Sequence, residues 1–110
     1  MLHTDTRIYR KSLKLIALSA RVIDGLPRGH AHLADQLRRA ASSVTLNFSE
    51  GAGKSSPRDR RKFFHIARGS ANEVAAILDV ALAFKALDKI LHHEASDVAN
   101  HIAAMLSKFR

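Results

Sequence analysis

The sequence predicts an all-α protein, an antiparallel up-down-up-down four-helix bundle, and three observations carry that expectation. Apolar residues recur at three-and-four spacing along almost the whole chain, and no run alternates with period two. Four of the five glycines and both prolines fall in two short windows, 25–29 and 51–57, which read as turns between stretches rich in helix formers. A chain of 110 residues is long enough to bury one core, so residues 1–110 are read as a single domain.

The first helix is expected over about 4–24, with Ile8, Ser12, Leu15, Ile16, Ser19, Val22, Ile23 and Leu26 on one face. The second is expected over 31–50, where Leu33, Leu37, Ala40, Ala41, Val44 and Phe48 repeat the pattern; Gly51 then suits a left-handed terminal residue. The third helix has the clearest start: Ser56 as cap, Pro57 at the first helical position, and Asp59 three residues after the cap. Its buried stripe reads Phe63, Ala67, Ser70, Val74, Ile77, Leu78 and Ala81. Its end is harder to place, because the apolar phase runs on through Phe84, Leu87, Leu91, Ala95, Val98, Ile102, Leu106 and Phe109 without glycine or proline. One rod of more than about 50 residues would be about 75 Å long, too long for a compact domain of this size. A turn is therefore expected near 87–89, with Asp88 capping the fourth helix. Small residues at 40–43 and at Ala67, Gly69, Ser70 and Ala71 predict that the second and third helices form the tightest pair.

Composition removes several function classes. There is no cysteine, which excludes disulfides, thiolate metal sites and cysteine nucleophiles and fits a reducing cytoplasm, the expected compartment. No stretch approaches the roughly 20 apolar residues that span a bilayer, and the amino terminus does not read as a leader, so neither membrane nor export is expected. The net charge of +8 is uneven: residues 1–68 carry 14 Lys/Arg against 5 Asp/Glu, whereas 69–110 carry 4 against 5. A lopsided basic surface attracts polyanions, which puts nucleic acid first among partners.

Several apparent motifs dissolve on inspection. Gly51-Ala52-Gly53-Lys54-Ser55 looks like the end of a phosphate-binding loop, but Phe48 stands where the first glycine belongs and a helix precedes it where a strand is required. His93, Asp97 and His101 share a helix face but span about 12 Å, too far for one ion, and read as a solvated face. No serine has a base and acid placed by spacing, so the expectation is a non-enzymatic protein without metal or cofactor.

The basic cluster Arg58, Arg60, Arg61 and Lys62 is different. It crowds the start of the third helix, where the dipole disfavours cations, so a docked phosphate would turn an unfavourable placement into attraction. Arg7, Arg10, Lys14 and Arg21 add an outward stripe on the first helix. With Tyr9 and five phenylalanines as the aromatics, there is no stacking platform for bases, and no short recognition helix follows a tight turn. Phosphate contacts with little sequence reading are expected. The competing reading is a protein-interaction module for an acidic partner, or charge that merely solubilises. Leu13, Leu18 and Leu46 lie outside the main stripes and predict a homo-oligomer.

The run Leu37-Arg38-Arg39-Ala40-Ala41-Ser42-Ser43-Val44-Thr45-Leu46-Asn47-Phe48-Ser49-Glu50-Gly51, followed by Ile66-Ala67, Gly69-Ser70 and Glu73, resembles the four-helix bundle family of 23S ribosomal RNA intervening-sequence proteins. Arg39, Asn47, Glu50, Gly51 and Glu73 are the motif positions matched; Thr45 and Phe48 stand where the family more often has proline or alanine and isoleucine. The family is similar in fold to accessory proteins of diversity-generating retroelements. That resemblance implies a basic ring of five, a homopentamer, associated with nucleic acid and a reverse transcriptase or other protein partner. Asn47 is expected as a buried structural amide and Glu50 as the partner of an arginine or a helix terminus.

Overall fold

The computed structural model describes the backbone of residues 3–109 and the side chains of residues 6–109. Four helices follow one another, α1 (His3–Gly25), α2 (Ala31–Ala52), α3 (Pro57–Ala83) and α4 (Lys89–Leu106), with no strand among the described residues. Each packs on two neighbours: α2 and α4 both touch α1 and α3, and α1 and α3 lie on a diagonal. The result is the expected bundle, 45 × 22 × 19 Å across its Cα atoms. The α2–α3 pair is the most extensive, as the small residues predict. Alanines 40, 67 and 71 are buried there and let the two backbones approach.

The starts of α3 and α4 follow local chemistry. Ser56 is extended (φ −78°, ψ 128°) and its hydroxyl accepts from the Asp59 amide, with Pro57 behind it, as the sequence indicates. Asp88 caps α4 by accepting from the Leu91 amide at 2.9 Å. The turn before it comes earlier than the predicted 87–89, because α3 closes at Phe84. The Lys85 amide bonds to the Leu82 carbonyl and the Ala86 amide to the Ala81 carbonyl, both at 2.9 Å. This is the paired terminal bond pattern that ends many helices, with Lys85 in the left-handed position at φ 60°. Lysine there costs about 1–2 kcal/mol of backbone strain that glycine would avoid. The usual signal of a helix end is therefore missing from the sequence.

Two corrections concern the core. Phe64, not Phe63, is the buried aromatic of α3 at 1% exposure, and the true stripe runs Phe64, Ala67, Ala71, Val74, Ile77, Leu78 and Ala81. Phe63 and Ser70 fall half-buried at its edge. Leu18 is buried at 4% exposure, so it belongs to the core and does not support an oligomer surface; Leu13 and Leu46 remain exposed.

Gly51 also differs from expectation. It is not left-handed; α2 continues through it to Ala52, and the positive-φ glycine is Gly29 (φ 94°) in the first loop. Its role is close approach: a Cβ at Gly51 would lie 2.8 Å from two ring carbons of Phe64 and 3.0 Å from the Phe63 Cβ. Gly69, by contrast, sits in mid-α3 with nothing within 4 Å of such a Cβ. Gly51→Ala is expected to destabilise by about 1–2 kcal/mol, because overpacking against a wedged ring outweighs the better helix propensity. Gly69→Ala should stabilise by up to about 1 kcal/mol, since only helix propensity changes there. Paired urea melts check the opposite signs, and stabilisation by both changes would refute the close-approach account.

Candidate nucleic-acid interface

Antiparallel packing brings the starts of α1 and α3 and the finishes of α2 and α4 to one end of the bundle. Sorted by that geometry, the charge imbalance read along the chain gathers at one end of the molecule. In the half at this end lie Arg7, Arg10, Lys11, Lys14, Lys54, Arg58, Arg60, Arg61, Lys62, Arg68 and Lys108, against Glu50 and Asp59. The opposite half carries Arg21, Arg28, Arg38, Arg39, Lys85 and Lys89, offset by Asp24, Asp35, Glu73, Asp79, Asp88, Glu94 and Asp97. One end is strongly cationic; the other is close to neutral.

Several of these cations rest on aromatic rings. The Lys54 and Lys62 ammoniums lie 5.4 and 5.7 Å from the centroid of Phe63, and the Arg60 guanidinium 5.7 Å from that of Phe64. Such contacts hold the stems without neutralising the charge. Arg60 and Arg61 line an open cleft with Ser55, Pro57, Phe64, Lys108 and Phe109, where the finish of α4 meets the start of α3. The finishes of α2 and α4 share this end, so their carbonyls offset part of the unfavourable dipole that an isolated third helix would present to its arginines.

The predicted site residues divide on this frame. Arg58, Arg60, Arg61 and Lys62 stand together at the start of α3, and Arg7 and Arg10 sit at the same end on the diagonal helix. Lys14 lies midway along α1. Arg21 is at the opposite end, 3.7 Å from Glu94 of α4, so the stripe on α1 runs away from the cluster instead of joining it. Lys54 and Lys108, each isolated in sequence, are added to the cationic end by topology; nothing in their local sequence marks them.

The motif residues of α2 and α3 have structural work. Asn47 donates from Nδ2 to the Ser43 carbonyl at 3.0 Å and to Ser43 Oγ at 2.9 Å, and the Ser43 and Ser70 hydroxyls are 2.7 Å apart across the helix pair. Asn47 is thus a structural amide, but half-buried and not buried as expected. Glu50 pairs with Lys54 at 3.6 Å, not with an arginine, in an exposed contact of little energetic weight. Arg39 and Glu73 are exposed and border the shallow groove that holds Ser43 and Ser70. His93, Asp97 and His101 lie on α4, and among the described residues no three metal-ligating side chains are placed to share an ion. His92 instead contacts Asp79 at 2.8 Å, tying α4 to α3. No helix is long and apolar enough to cross a membrane among the described residues.

The family model described as 23S rRNA-intervening sequence protein matches residues 4–108. A crystal structure of a protein of unknown function from the S23 ribosomal protein family of Bacteroides thetaiotaomicron superposes with a TM-score of 0.87 at 19% identity, covering 96% of each chain. At that identity the likeness shows the fold alone. No curated protein matches the chain.

Proposed function

Because the chain belongs to the 23S rRNA-intervening sequence protein family, we propose that it is a non-enzymatic, nucleic-acid-binding bundle that grips structured RNA or DNA through phosphate contacts. The observation that carries this reading is the gathering of Arg58, Arg60, Arg61 and Lys62 with Lys54 and Lys108 at one end, opposed there by Glu50 and Asp59 among the described residues. Phosphates, like carboxylates, are partners that arginine recognises with both charge and geometry. The cationic end offers little for reading bases, because Phe63 and Phe64 are occupied by packing and by the cations themselves. The protein acts as a homo-oligomer, a pentamer on the family resemblance, with Leu46 (68% exposed) and Ile66 (43%) as apolar surface that assembly would cover. In that form it serves as an accessory to a larger enzyme such as a reverse transcriptase.

The test is the triple change Arg60→Gln/Arg61→Gln/Lys62→Gln. Helix content should persist and affinity for unrelated sequences should fall by similar factors. The salt dependence should flatten by about 0.9 in log–log slope for each duplex DNA phosphate that the variant leaves unneutralised. Light scattering alongside should give a multiple of the 12.1 kDa chain mass for both proteins. Unchanged affinity and slope in the variant would reduce the cluster to a solvated surface, and a monomer mass would reject the oligomer. Selective capture of acidic proteins with no nucleic-acid affinity would favour the interaction-module alternative.

A further inference from the structure

Resting on that nucleic-acid reading, we infer that the bundle meets the nucleic-acid backbone end-on, through the cap where the start of α3 meets the finishes of α2 and α4, and not along its flank. The charge is segregated along the 45 Å axis instead of around it, so the molecule's field points one end at a polyanion. At the opposite end Arg38 is engaged by Asp35 at 3.4 Å and Arg21 by Glu94 at 3.7 Å. At the cap, aromatic rings support Lys62 and Arg60, and Lys54 has both a ring and Glu50. Stems held on rings lose less freedom when their heads meet phosphates, which lowers the entropic cost of binding.

The mode fixes a footprint. An end face of 22 × 19 Å covers about six base pairs at the duplex rise of 3.4 Å, whereas a 45 Å flank would cover about thirteen. An arginine stripe along α1 would demand the longer footprint; the cap demands the shorter one for each protomer.

Two variants with equal loss of charge separate the modes. Lys54→Gln/Arg61→Gln/Lys108→Gln removes three cations from the cap, and Arg28→Gln/Arg38→Gln/Lys89→Gln removes three from the neutral end. Each is titrated against RNA and DNA duplexes of one sequence, about 24 base pairs long so that several protomers can seat. The cap variant should lose at least about tenfold in affinity, with its salt slope on DNA lower by about 2.7, while the other stays within about twofold of the parent. A charge-conserving cap, Lys54→Arg/Arg61→Lys/Lys108→Arg, should keep its affinity, which separates loss of charge from loss of fold. Equal weakening of both glutamine variants, or saturation near thirteen base pairs per protomer, would overturn the end-on mode while leaving nucleic-acid binding intact. Failure of the parent protein to bind either duplex would overturn the functional reading itself.

Discussion

Replacing Phe64 with alanine is expected to lower the unfolding free energy by about 3–5 kcal/mol, the range for deleting a fully buried aromatic side chain. The ring is 1% exposed. It stacks on Phe48 of α2 with centroids 5.1 Å apart and meets the edge of Phe109, beyond α4, at 4.7 Å. It also fills the space left by the missing side chain of Gly51. Deleting it opens a cavity bounded by three segments that already pack on other neighbours, so the walls cannot collapse cheaply. A domain of this size has about 5–15 kcal/mol of stability to lose, so the variant should sit near the edge of folding. Phe63→Ala, one residue earlier and half-buried, should cost about 1 kcal/mol. Denaturant titration at unchanged m-value reads both. Equal costs for the two changes would show that the aromatic cluster is not the keystone of this end.

That contrast between neighbours also shows where the sequence is legible and where it is not. Helix number, order and caps are local properties: Ser56-Pro57 and Asp88 announce starts through hydrogen bonds made within one turn. Phase is less determinate. Phe63-Phe64 and Ser70-Ala71 each offer one residue to either of two stripes that share Ala67, Val74 and Leu78, and the tie is broken by α2, where Gly51 admits one ring and Ser43 draws the Ser70 hydroxyl to the edge. The end of α3 is illegible for a different reason, since Lys85 occupies a conformation whose usual marker is glycine. The cationic end is half legible. Its arginines on α3 are adjacent in sequence, but Lys54 and Lys108 join them because α2 and α4 finish there, and Arg21 leaves them because α1 finishes elsewhere. Charge counted along a chain says that a protein is basic; topology says which end.

Ser12→Ala is expected to cost about 1–3 kcal/mol, although it deletes a single oxygen. Ser12 is fully buried on α1, donating to the Tyr9 carbonyl at 2.7 Å and accepting from Thr45 Oγ1 of α2 at 2.9 Å. Both hydroxyls lie within the core, where an unmet polar group carries its whole desolvation cost. The alanine variant takes away the acceptor that the Thr45 hydroxyl uses. Thr45→Val alone should cost less, about 0.5–1.5 kcal/mol, because Ser12 keeps its bond to the Tyr9 carbonyl and the valine methyl fits an apolar surround. The double change should cost less than the two singles added together, since valine removes the hydroxyl that Ser12→Ala orphaned. Thr45→Val made in the Ser12→Ala background should then be neutral or stabilising. A thermodynamic cycle over the four proteins isolates the coupling, expected at about 1 kcal/mol. Strict additivity would show that the α1–α2 hydroxyl pair adds nothing to the seam between those helices.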